Sequence, residues 1–113
     1  DRAMDMINLK INRFGGLTRA RLIRDLCIEL GLPMNVEDSW GGEIATAAIA
    51  HLAQSTPADF HFQSSAFHTY HTIALADGAP EVEGGYMRAS DRPGLGVTPI
   101  EAVLGDPVFT TAG

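Results

Sequence analysis

The sequence predicts an α/β fold built on a parallel sheet, and three observations predict it. INLKIN alternates apolar Ile7, Leu9 and Ile11 with polar Asn8, Lys10 and Asn12, the period of a strand with one apolar face. Two stretches of helical periodicity separate this strand candidate from two others. The strand candidates recur about every 26 residues, the spacing of βα units.

The first strand is expected over Met6–Asn12, closed by Gly15 and Gly16. Thr18 is placed to cap the following helix, which runs to about Leu30 and is stopped by Gly31 and Pro33. Its apolar stripe is Leu22, Ile23, Leu26, Cys27 and Leu30. Arg13, Arg19, Arg21 and Arg24, mixed with Asp25 and Glu29, read as a solvated face. A second strand follows over Pro33–Glu37. The second helix begins at Gly42 or Glu43 and reaches about Gln54. Ile44, Ala45, Ala48, Ile49, Leu52 and Ala53 give it one broad apolar side, and the alanines predict close packing. Pro57 opens the connection to a third strand, Phe60–Ser64. There Phe60 and Phe62 share one face and His61 and Gln63 the other.

The order β-α-β-α-β suits a (β/α) barrel or a doubly wound sheet. Two and a half units cannot close a barrel, and an open three-stranded parallel sheet leaves wide apolar edges. DRAMDMINLK also enters a strand at once, with no leader. The expectation is a piece of a longer protein. The last part, DGAPEVEGGYMRASDRPGLGV, is rich in Gly, Pro and acids. Tyr86–Ala89 reads as a short strand and PGLG at 93–96 as a turn. TPIE at 98–101 has the form of a capping box, opening a helix from Pro99 to Leu104 that ends at Gly105. This tail reads as a wrap or cap rather than another βα unit.

The chain has 113 residues, a formal charge of −6 and 45% hydrophobic residues. These values fit one modest domain and suggest neither a nucleic-acid face nor a polybasic membrane patch. The single cysteine, Cys27, lies on the apolar stripe and reads as a buried structural thiol. With no disulfide, no signal peptide and no apolar run near 18 residues, a reducing, cytoplasmic setting is expected.

Three places can carry chemistry. With Ile7, Leu9 and Ile11 facing the helices, Lys10 faces the inside of the sheet. Loss of hydration there disfavours its ammonium. A lysine at the C-terminal end of a barrel strand can be a general base or a Schiff-base amine. An edge-strand lysine pointing at solvent is the alternative. PMNVEDSWGG at 33–42 ends a strand in Glu37, Asp38, Ser39, Trp40 and two glycines. Glu37 and Asp38 point opposite ways in a regular strand, so one of them faces the mouth. A carboxylate beside an indole can hold a cationic amine; helix capping by Asp38 or Ser39 is the alternative. In FHFQSS, Gln63, Ser64 and Ser65 can donate hydrogen bonds to a carboxylate, or serve as turn residues. His51, His61, His68 and His71 lack the spacing of a metal site. There is no GxGxxG, no P-loop and no GxSxG.

Taken together, INLKINRFGG, PMNVEDSWGGEIATAAIAHLA and the late DRPGLGV resemble the C-terminal part of the mandelate racemase/muconate lactonizing enzymes of the enolase superfamily. LKIxRxGG and PGLGV are specific in combination. EDSWGGEIATAAIAHLAQSTP is similar to cis-3-hydroxy-L-proline dehydratases and the related proline-betaine epimerases. The resemblance implies the C-terminal part of a (β/α)7β TIM-like barrel. Met6–Asn12, Pro33–Glu37 and Phe60–Ser64 would be strands six to eight. Residues 1–72 would form the barrel segment, and residues 73–113 a tail packing on a capping domain.

It further implies a Mg²⁺-dependent enzyme that takes the proton α to a carboxylate, with Lys10 as acid/base. Asp38 would face the substrate amine, and Glu37, Trp40, Gln63 and Ser64 would complete substrate binding. The metal carboxylates would lie on strands three to five and a partner lysine on strand two, all outside this chain; Asp5 matches no metal ligand. Many relatives carry a glutamate on strand eight where this chain has Gln63, Ser64 and Ser65, which leaves polar anchoring of a carboxylate there. The implied reading is a homo-oligomeric dehydratase acting on a proline derivative, a small amino-acid substrate. Alternatives are an acylamino-acid racemase or a dipeptide or betaine epimerase. From other classes come a Schiff-base aldolase and a non-catalytic partial domain.

Overall fold

The computed structural model describes residues 3–111. Three parallel strands, β1 (Ile7–Lys10), β2 (Met34–Glu37) and β3 (His61–Ser64), form a sheet in the order β1-β2-β3. Helices α1 (Leu17–Glu29) and α2 (Gly42–Gln54) make the two crossovers. One face of the sheet packs on the helices through Leu9, Met34 and Val36, all fully buried, with Ile49 of α2 against them. Full burial of such side chains stabilises by about 1.5–3 kcal/mol each. The opposite face carries Asn8, Lys10, Asn35 and Glu37, because strand residues alternate.

The first strand is shorter than its alternation predicts. After Lys10 the chain tightens into a 3₁₀ turn, Ile11–Phe14. The amide of Asn12 turns toward Asp38 rather than into a ladder. Gly15 and Gly16, at φ 81° and 110°, then reverse the chain. Helix α1 starts from Gly16 as its N-cap, so Thr18 lies inside the helix and caps nothing. Its far end is closed as expected. Leu32 donates to Cys27 at 2.8 Å and Gly31, at φ 68°, to Ile28 at 3.0 Å, the paired bonds of a glycine-terminated helix.

The buried face of α1 corrects the hydropathy reading. Ala20, Arg24 and Cys27 are buried, while Leu22, Leu26 and Leu30 are exposed. Arg24, expected in solvent, lies between the helices and donates to the Ser55 carbonyl at 3.1 Å and to Ser55 Oγ at 2.7 Å. It thus satisfies a carbonyl at the C-terminal end of α2. Burial pushes the Cys27 thiol up, as suits a structural cysteine.

Helix α2 has the predicted bounds, and Ala47, Ile49, Ala50, Leu52 and Ala53 are buried. Strand β3 begins at His61 because Phe60 belongs to a 3₁₀ turn, Ala58–Phe60. The tail adds two antiparallel ribbons. In one, β4 (Ala76–Asp77) pairs with β7 (Thr98–Pro99). In the other, β5 (Val82–Glu83) pairs with β6 (Tyr86–Met87) around Gly84–Gly85, both at positive φ. A short helix, α3 (Glu101–Leu104), follows. No capping box forms, because Thr98 and Pro99 are held in the ribbon and Ile100 precedes the helix. The tail is tied to α2: Ala89 donates to Gln54 Oε1 at 3.0 Å, and His51 Nε2 meets the Leu95 carbonyl at 3.3 Å. Among the described residues, no helix is long and apolar enough to cross a membrane.

Candidate active site

Because the three strands are parallel, the connections that leave β1, β2 and β3 all rise from the same edge of the sheet. In register, Ile7, Asn8, Leu9 and Lys10 pair with Met34, Asn35, Val36 and Glu37. Lys10 and Glu37 therefore end neighbouring strands on the open face. Lys10 Nζ lies 3.3 Å from Glu37 Oε1, with the two side chains 34% and 16% exposed. Ser65 Oγ donates to Glu37 Oε2 at 3.3 Å. Lysine, glutamate and serine thus form one row across the sheet's C-terminal end. Beneath it, Asn35 Nδ2 donates to Asn8 Oδ1 at 2.6 Å, while Asn35 Oδ1 is buried with no partner.

Strand β3 departs from simple alternation. Met34 pairs with His61, but Asn35 pairs with Gln63 and Val36 with Ser64, leaving Phe62 as an extra, bulged residue. The bulge separates residues expected to share a face. Gln63 stands beside Asn35 on the open face. His61 and Ser64 fall in line with the helix-facing Met34 and Val36 and bond each other at 2.8 Å. Ser64 therefore does not join Lys10; Ser65 takes that place. Phe60 packs on the core, while Phe62 is 68% exposed.

Asp38 is buried and committed to backbone. Its carboxylate accepts the Asn12 amide at 3.2 Å and the Ser39 amide at 2.7 Å. It pins the turn after β1 to the loop after β2, and does not cap α2, whose N-cap is Gly41. Trp40 is 64% exposed and stacks on Phe67, Tyr70 and His71 at 5.8, 6.3 and 6.2 Å between ring centres. The carboxylate beside Lys10 is that of Glu37.

An open groove of about 590 Å³ runs along the free edge of β3, lined by His61, Phe62, Tyr86 and Met87 among others. It includes neither Lys10 nor Glu37. Among the described residues, no group of three or more His, Cys, Asp and Glu side chains could hold a metal ion. Sequence reasoning named Lys10 and Glu37 separately and missed that they pair. Aligning the alternation of INLK with that of MNVE would have revealed it.

Residues 1–103 match the family described as enolase C-terminal domain-like. The chain is 60% identical over 106 residues to a cis-3-hydroxy-L-proline dehydratase of Roseibium aggregatum, covering 94% of this chain and 29% of that protein. A mandelate racemase/muconate lactonizing enzyme from Roseovarius nubinhibens superposes with a TM-score of 0.91 at 49% identity, over 96% of this chain and 30% of that one. Another enzyme from the same organism, complexed with magnesium, gives a TM-score of 0.90 at 34% identity, over 96% of this chain and 30% of that one. The chain spans less than a third of the length of these relatives. Its three strands and two helices are part of a TIM-type barrel. By sequence match and by fold, the chain belongs to the enolase C-terminal domain-like family of the enolase superfamily.

Proposed function

We propose that the protein of which this chain is part removes the proton α to the carboxylate of a proline-type amino acid. We further propose that it dehydrates a cis-3-hydroxyproline. The observation that carries the reading is Lys10. It is the last residue of β1, it lies on the open face at the strands' C-terminal end, and its amine is held by Glu37. The identity to cis-3-hydroxy-L-proline dehydratase supports the choice of substrate.

In this reading Lys10 acts as the neutral amine, after losing one proton to solvent: its Nζ takes the proton from Cα, and the electron pair passes into the carboxylate as an enediolate. The pair then returns to form a carbon–carbon double bond while the β-hydroxyl takes the proton back from the Lys10 ammonium and leaves as water, which restores the neutral amine. The resulting ring enamine tautomerises to the imine. Glu37 aims Nζ, and Ser65 steadies Glu37. With Asp38 engaged by backbone, Glu37 is also the carboxylate best placed for the ring ammonium. Gln63 faces the same side and can hold the substrate's polar groups. Trp40 offers the ring an apolar wall.

One solved relative is complexed with magnesium. The described residues of this chain do not fit a magnesium site. We infer that any such ion is held by parts of the protein outside this chain.

The test is product analysis with the full-length enzyme and cis-3-hydroxy-L-proline. Loss of water with formation of the ring imine is expected. Inversion at the α-carbon without loss of water marks a racemase or epimerase instead. Reduction of a turnover mixture with borohydride is expected to leave Lys10 unmodified; a trapped adduct would indicate Schiff-base chemistry.

A further inference from the structure

The first turns of α2 carry two buried polar side chains that the reading above does not use. Thr46 is wholly buried; its Oγ1 donates to the Gly42 carbonyl at 2.8 Å and accepts the amide of His68 at 3.2 Å. Glu43 is also buried, and its carboxylate accepts the amide of Leu75 at 2.8 Å. Buried polar groups destabilise unless they are bonded. Both find partners in the same segment, the one that leaves the C-terminal end of β3. That segment is therefore pinned near its start and at its end. Phe67, Tyr70 and His71 within it all pack on Trp40 at the mouth.

We propose that Thr46 and Glu43 are positioning residues, which hold residues 67–71 behind Trp40 and fix the indole as one wall of the substrate mouth. They thereby set the affinity for the substrate ring. The proposal rests on the reading of the mouth as the substrate site.

The test is steady-state kinetics of the full-length enzyme with its ring substrate. Thr46→Val keeps the volume and removes the hydroxyl. It is expected to raise KM about tenfold while kcat stays within about threefold, the pattern of lost binding shared by ground and transition states. Thr46→Ser keeps the hydroxyl and is expected to restore KM, which a purely volume-filling role would not require. Tyr70 is 67% exposed, so Tyr70→Ala is compatible with folding even where Thr46→Val is not. It is expected to raise KM in the same sense. An unchanged KM in Tyr70→Ala overturns the proposal, as does a kcat loss in Thr46→Val that serine fails to restore. If the wild-type enzyme exchanges the α-proton of a proline but these KM values do not move, only the positioning claim has failed. If it exchanges no such proton, the functional reading has failed and takes this proposal with it.

Discussion

Lys10 and Glu37 occupy paired positions at the ends of adjacent parallel strands, and their side chains form an ion pair at 3.3 Å. The pair places the Glu37 carboxylate, rather than that of Asp38, beside the Lys10 amine. It also separates a functional role from a structural one. Partly exposed ion pairs contribute only about 0–1 kcal/mol to stability. Misaiming a reacting group, by contrast, can cost about a hundredfold in rate.

Glu37→Gln in the full-length enzyme is therefore expected to lower kcat by about ten- to a hundredfold, while its unfolding free energy changes by less than about 1 kcal/mol. Denaturant unfolding and steady-state kinetics on the same preparation check this. A large loss of stability with unchanged kcat would make the pair structural.

Gly41 is expected to be intolerant of any side chain. It sits at φ 125°, and an added Cβ would lie 2.7 Å from Ala45 Cβ. Gly41→Ala is expected to destabilise by about 1–3 kcal/mol, the scale of local backbone strain. Gly31→Ala is a useful comparison, since Gly31 has φ 68° but open space around its Cβ position. Thermal unfolding should rank Gly41→Ala as the more damaging of the two.

Glu43 predicts an acid limb in stability. Burial alone would push its carboxyl up, but hydrogen bonds from its own amide and from those of Leu75 and Ala76, with the charge of His68 nearby, outweigh this and hold it below the usual carboxylate range. The unfolded chain then takes up this proton at a higher pH than the folded one. The stabilisation is complete above the unfolded pKa and is lost as pH falls through the depressed folded value. Stability measured by denaturant across the acid range is expected to show this loss, and Glu43→Gln to flatten it. An equally steep limb in the variant would contradict the assignment.

Much of this architecture is legible in the sequence because it rests on local pattern. The alternation of INLK, the Gly31–Leu32–Pro33 stop and the bounds of α2 all follow from periodicity and turn chemistry. What escaped rests on pairing at a distance. The Leu22, Leu26 and Leu30 row looks like a core stripe. Yet only Cys27 and Ile23 of the expected stripe face the core; the rest of the docking face is Ala20, small enough for close approach, and Arg24, which answers the carbonyl of Ser55. TPIE has the form of a capping box, but ribbon pairing with Ala76 and Asp77 prevails over the local cap. At the site, Lys10 is marked by strand phase alone. The bulge at Phe62, invisible to period-two counting, parts His61 from Gln63; beyond it the alternation is regular, so Ser64 turns to the helices and Ser65, two residues on from Gln63, reaches Glu37.

The central claim is that the Lys10 amine moves the α-proton. The direct measurement is exchange of the substrate α-hydrogen in D₂O, followed by NMR, in full-length wild-type and Lys10→Ala enzymes. The account predicts exchange in the wild type and a loss of at least about a hundredfold in the variant, the usual scale for removing a general base. Exchange at the wild-type rate in Lys10→Ala would contradict it.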